Sequence, residues 1–172
     1  MVHLDPEHSC NQIQISSDRL SASGKKVGSY AFARGLPALC PGGLYSWRVR
    51  VDTKSGSYGP SIGVCLGSAI MGQTWSGGET DWWFVDSHTT WLDVYGNGSS
   101  DWPMDNKGNY RKPLKNGDIV TVYVDLVKKE IAWTINDEDP EDTKIRMSLP
   151  NSLSEPLYPL FGLHCGSEIS IV

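Results

Sequence analysis

Four groups of residues in this chain have the types, and some of the spacing, that chemistry needs. Gly63-Val64-Cys65-Leu66-Gly67 fits a G-x-C-x-G nucleophile elbow, in which a thiolate sits on a sharp strand-to-helix turn with His88 or His164 as its base. The elbow demands a helix after Gly67, and Ser68 to Gly78 carries no helical period, so the expectation is a buried strand thiol. His3, His8 and Cys10 are metal-ligand types with no second cluster at metal-site spacing, and they read as a frayed terminus. Asp101, Asp105, Asn106 and Asn109 offer calcium-type oxygens without the spacing of an EF-hand loop. The acidic group Asn136, Asp137, Glu138, Asp139, Glu141 and Asp142 reads as a solvated turn. Asn97-Gly98-Ser99 is a glycosylation sequon, meaningful only in a secreted chain, and no phosphate-binding glycine loop runs into Lys-Ser/Thr. No catalytic constellation, no metal site and no cofactor are therefore expected, and the reading moves from enzyme to recognition module.

The elements that would position these residues are strands. Leu44 to Asp52 alternates cleanly, with Tyr45, Trp47, Val49 and Val51 on one face and Ser46, Arg48, Arg50 and Asp52 on the other. Asn116 to Leu126 and, directly after it, Lys128 to Asn136 read as two alternating runs about a short charged connection, the pattern of an antiparallel hairpin with Ile131, Trp133 and Ile135 on its apolar face. Further strands are expected at Ile13–Ser16, Tyr30–Ala33, Ser61–Gly67, Trp82–Asp86 and Thr90–Tyr95. Ile145–Leu149 reads as an edge strand, and Leu157–Cys165 with Glu168–Val172 as a closing strand pair. Ser21 to Gly28 and Gly35 to Gly43 read as loops, and Gly96 to Lys115 as a long irregular surface connection. The sum is an all-β, antiparallel two-sheet sandwich of about ten to thirteen short strands with little helix. Residues 1–12 form a lead-in and 13–172 a single domain.

Composition bounds the function. At 172 residues the chain is one domain by size, and its seven Trp and seven Tyr supply bulk for a core between two sheets. A formal net charge of −5, with basic residues only in short clusters, argues against nucleic acid. No apolar run is long enough for a membrane span, and the first residues lack the basic and apolar regions of a secretory signal. Cys10, Cys40, Cys65 and Cys165 permit two disulfides in any of three connectivities, but a chain of this size does not need them. Free thiols in a reducing cytoplasm are expected. A last strand ending at Val172 reads as a monomeric domain cut from a larger chain.

Four segments, in order, resemble the SPRY domain family: Gly43-Leu44-Tyr45-Ser46-Trp47-Arg48-Val49-Arg50-Val51, Ser61-Ile62-Gly63-Val64, Gly117-Asp118-Ile119-Val120 with Asp125, and Leu157-Tyr158-Pro159-Leu160. The resemblance spans about Ile13 to Val172. It departs at Asn136-Asp137, where the family carries Asn-Gly, and in the Trp-rich stretch of Trp82, Trp83 and Trp91. It implies a concanavalin-like jelly roll that binds a protein or peptide and catalyses nothing. It further implies a place as the substrate-recognition part of a ubiquitin ligase or of a larger signalling protein.

In the peptide-binding members, loops at one end of the sandwich hold the ligand. Arg19-Leu20-Ser21-Ala22 matches their Arg-Pro-x-Ala element at Arg19 and Ala22 without the proline, and His164-Cys165-Gly166 matches a later loop. Trp75 is the aromatic in a third. The partner-binding set implied is thus Arg19, Ser21, Ala22, Trp75, His164, Cys165 and Gly166. The rival reading is a glycan-binding, lectin-like sandwich in which Trp75 or Trp102 stacks on a sugar ring.

Overall fold

The computed structural model describes residues 1–25, 31–55, 58–69, 71, 81–88, 92–96, 99–101, 113–137 and 145–172. These residues form fourteen strands and no helix, in two seven-stranded antiparallel sheets packed face to face. The first sheet runs β1 (His3–Ser9), β4 (Ala31–Leu36), β13 (Leu157–Leu163), β6 (Tyr58–Leu66), β7 (Trp82–His88), β8 (Leu92–Gly96) and β9 (Ser99–Asp101). The second runs β12 (Arg146–Ser148), β11 (Glu130–Ile135), β10 (Ile119–Asp125), β5 (Leu44–Thr53), β14 (Glu168–Ile171), β3 (Ser21–Gly24) and β2 (Ile13–Ile15).

The alternation in β5 holds: Trp47, Val49 and Val51 are buried while Ser46 and Arg50 are exposed. Val120, Val122 and Val124 of β10 face Val49, Trp47 and Tyr45 across the ladder, and Ile135, Trp133 and Ile131 of β11 on the other side. Side chains of one parity in three neighbouring strands thus meet in one core layer. Ala132 and Thr134, on the face expected to be wet, are also buried.

A second apolar cluster lies on the outer face of the first sheet, where Phe32, Cys65, Trp82, Phe84 and Leu160 are buried and Tyr95 stacks on Phe84 at 5.2 Å. Strands buried on both faces lose their alternation. That is why β6 and β7 read in sequence as continuous apolar runs. Gly63 sits in β6 against β7 with no room for a side chain: a Cβ there would lie 1.9 Å from the Trp83 carbonyl oxygen.

Four expectations change. His3–Ser9 is a strand, β1, paired with β4, and it buries Leu4 and Asp5 rather than fraying. Ser21–Gly24, expected in a loop, is β3, held between β2 and β14. The expected closing pair does not pair: β13 lies between β4 and β6, whereas β14 lies between β5 and β3 in the other sheet. The stretch from 96 to 115 contains β9 and the buried Leu114, and residues 102–112 lie outside the described residues.

Candidate functional site

Cys65 is the buried strand thiol that the sequence leads one to expect. Cys65 lies within β6 and is completely buried, and burial pushes its thiol up to about 12. A thiol held protonated in a strand is no nucleophile at neutral pH. His164 follows the far end of β13 from Tyr158, the register partner of Cys65, so about 20 Å of strand separates them.

Among the described residues one group has metal-ligand geometry, Asp5, Glu7 and His8. Its only buried member is already engaged: Asp5 Oδ2 accepts from Arg34 Nη2 at 2.8 Å and lies 2.9 Å from His8 Nδ1. Burial raises the Asp5 carboxyl, but hydrogen bonds from Arg34, the Glu7 amide and His8 outweigh it and hold the group below its usual value of 3.8. Arg34 also lies over the Tyr158 ring at 4.2 Å. The cluster is a structural ion pair. Of the acidic group after Ile135, Asp137 pairs with Arg48 at 2.9 Å, and 138–142 lie outside the described residues.

The sequence-predicted partner site is built around β3. The turn from Ser16 to Leu20 is closed locally: the Arg19 amide donates to the Ser16 carbonyl at 3.0 Å, and the Leu20 amide to Asp18 Oδ1 at 3.0 Å. Hydrogen bonds from Ser16 and the Leu20 amide hold the Asp18 carboxyl below its usual range. Arg19 is exposed and left-handed, with φ of 61°. Ser21 points outward and its Oγ lies 3.0 Å from Ser170 Oγ on β14, whereas Ala22 faces the core at 3% exposure. At the other end of β3, the turn His164-Cys165-Gly166 joins β13 to β14. The Gly166 amide donates to the Gly24 carbonyl at 3.1 Å, and Gly166 adopts φ of 75°, which only glycine takes without strain.

These residues do not gather at one end of the sandwich. β3 and β14 are antiparallel, with Ser21 opposite Ser170 and Ser23 opposite Glu168. Arg19 therefore sits beside the C-terminal end of β14, where the Ile171 amide donates to the Leu20 carbonyl, while His164–Gly166 precedes its N-terminal end. Roughly 13 Å of strand lies between the two turns. The Ala22 side chain is removed from any contact surface by its burial. Trp75 lies outside the described residues.

What joins the two turns is a groove of about 350 Å³ on the outer face of the second sheet, along β2, β3, β14 and β5. Gln14, Ser21, Ser23, Asp52, Glu168 and Ser170 line it. Ser170 Oγ donates to Asp52 Oδ2, and the other Asp52 oxygen takes the Arg50 guanidinium, so a polar chain runs from Ser21 through Ser170 and Asp52 to Arg50. Sequence reasoning found Ser21 but missed Ser23, Asp52, Glu168 and Ser170. Their signal was the outward parity of β3, β5 and β14, legible only once those strands are neighbours. A second groove of about 350 Å³ lies farther along the same face, between Tyr45, Tyr123, Lys128 and Arg146.

The fold is shared with solved structures. The chain is similar to the TRIM65 PSpry domain (TM-score 0.74, 13% identity, 99% of this chain and 91% of that one). It is equally similar to the SPRY domain of human HERC1 (TM-score 0.74, 16% identity, 98% of this chain and 96% of that one). It also matches the stonustoxin structure (TM-score 0.74, 13% identity), covering 100% of this chain and 28% of that one. At such identities the likeness speaks for the fold alone. No curated protein sequence matches. The family model for the SPRY domain matches residues 44–172, from the first residue of β5 to the last of the chain. With well over half of its length matched and both sheets in place, the chain belongs to the SPRY domain family.

Proposed function

We propose that this domain is a non-enzymatic protein-interaction module that holds a short segment of a partner against the outer face of its second sheet. SPRY domains are generally interaction modules without catalysis, and the buried, protonated Cys65 supports that reading here. The observation that supports it is the groove beside β3, which lies between the Arg19 turn and the His164–Gly166 turn, two of the segments that the family resemblance implies, although it implied them at one end of the sandwich. Arg19 supplies a fork of donors for a carboxylate or for peptide carbonyls, Ser21 a hydroxyl, and the turn at His164, Cys165 and Gly166 a half-exposed wall. Trp75, which the family resemblance implies as an aromatic anchor, lies outside the described residues. The groove is largely preformed, because strands line it, and little ordering is needed on binding.

The four cysteines are free, with Cys40 exposed and Cys10 and Cys165 half-buried, which supports a reducing, cytoplasmic setting. None of the described elements is a helix long and apolar enough to cross a membrane. The wider role, as a substrate-recognition part of a ubiquitin ligase or of a larger signalling protein, comes from the family resemblance.

Selection of random linear peptides on the immobilised domain tests the reading, with Ser23→Trp as the variant that fills the groove. Ser23 is half-buried on the outer face, so the substitution leaves the core alone, and a matched melting temperature verifies that. The expected result is a peptide consensus on the wild-type domain that Ser23→Trp loses. A consensus that survives Ser23→Trp would move the site elsewhere. No consensus, with binding on a glycan array instead, would replace it with the lectin-like alternative.

A further inference from the structure

We propose that the groove beside β3 selects a cationic side chain, lysine or arginine, in the partner segment, and that Asp52 and Glu168 are its carboxylate receptors. This rests on the reading of that groove as the place where a partner segment lies.

The backbone aims both carboxylates into one space. β14 pairs with β5 through Glu168 opposite Thr53 and Ile169 opposite Val51, so Asp52 is the extra residue of a β-bulge. The extra residue keeps the outward parity of Arg48 and Arg50 on β5. Asp52 here turns toward Ser170, whose hydroxyl donates to its Oδ2. Glu168 lines the same groove and is exposed, and its carboxylate has no hydrogen-bond or ion-pair partner among the described residues.

The rest of the lining is acceptor-rich. The Ser21, Ser23 and Ser170 hydroxyls and the Gln14 amide carbonyl can all accept from an ammonium or guanidinium, and no lysine or arginine lines the groove. Arg50 approaches Asp52 through its other oxygen. Among Asp52, Glu168 and Arg50 the charge is net negative, in a molecule whose net charge is already −5. That field favours a basic side chain beside Asp52 and Glu168. A bare metal ion would leave most of about 350 Å³ unfilled, whereas the stem of a long side chain occupies it and brings its charge to the carboxylates.

The test uses the peptides selected on the wild-type domain, with EDTA present, and measures binding by fluorescence anisotropy. A lysine or arginine should dominate one position of the consensus. Replacing it with norleucine or citrulline should weaken binding on the order of 10–100-fold, the range for hydrogen bonds to charged groups. Glu168→Gln should weaken the parent peptide similarly and remove most of the difference between parent and neutral peptide. Glu168 is exposed, so this variant tests the groove without disturbing the core, and Asp52→Asn serves as the second member of the cycle. A consensus without a basic position would overturn the inference and leave the interaction module standing. So would a basic preference unchanged in both variants, or a preference that needs divalent metal. The absence of any consensus would remove the underlying reading together with this one.

Discussion

The indole Nε1 of Trp133 donates to the main-chain carbonyl of Ile62 at 2.8 Å, joining β11 in one sheet to β6 in the other through the centre of the core. Both residues are completely buried, so neither group has water to fall back on. Trp133→Ala should cost about 3–5 kcal/mol, as large core truncations do. Trp133→Phe keeps most of the bulk but orphans the Ile62 carbonyl on that side, and should cost about 1–3 kcal/mol. Equilibrium denaturation measures both. A Trp133→Phe variant as stable as wild type would show that the bond between the sheets contributes nothing.

Trp133 was legible from sequence because its strand alternates, and so was Trp47 in β5. The strands that escaped notice are those whose partners are remote. β1 carries Pro6 and three acidic or histidine neighbours, and it is held in the sheet by a side-chain pair that reaches from Asp5 to Arg34. No local period announces that. β3 is Ser-Ala-Ser-Gly, with one apolar core position in four residues, and it becomes a strand because β2 and β14 supply hydrogen bonds on both sides. Its outward serines look like loop residues until β14 and β5 lie beside them. The candidate site was half legible for the same reason. Arg19, Ser21 and the Gly166 turn follow from resemblance, while the outward parity of Asp52 and Glu168 means a shared site only once β14 lies beside β5, a pairing that no spacing rule gives.

The Asp5–Arg34 pair gives acid sensitivity. Its carboxyl is held below 3.8, so it binds protons less readily folded than unfolded. The stabilisation is complete above the unfolded value and is lost as pH falls through the lower folded one. Asp5→Asn should destabilise at neutral pH by about 3–5 kcal/mol, because Arg34 is left buried without its counter-charge. The gap between variant and wild type should close as pH drops below the usual carboxylate range, since wild type then loses the same charge. Denaturation at pH 7 and at stepped acid pH measures the gap. A gap constant down to the acid limit would show that the pair's charge is not what stabilises β1.

Thiol reactivity should rank with burial. Cys40 is exposed and should label rapidly with iodoacetamide at mildly alkaline pH. Cys65, with its thiol pushed up to about 12, should stay unmodified until the domain unfolds. Peptide mapping by mass spectrometry distinguishes the two sites. Native labelling of Cys65 at a rate near that of Cys40 would reopen the nucleophile that its burial closes.

Arg19 offers the sharpest separation of binding from stability. Its φ of 61° puts an L-residue with a long side chain where glycine is at home, a conformation that costs about 1–2 kcal/mol. Nothing in the core depends on its side chain, which is exposed. Arg19→Gly should therefore fold at least as well as wild type. The relieved backbone strain is partly offset by the greater freedom glycine gives the unfolded chain, for a net gain of about 0–1 kcal/mol. If Arg19 is kept in this strained position for recognition, the same variant should bind the selected peptide more weakly by about 1–3 kcal/mol. Denaturation curves and anisotropy titrations on one preparation give both numbers. Loss of stability would contradict the turn as described, and unchanged affinity would take Arg19 out of the recognition surface while leaving the groove between β3 and β14 to account for binding.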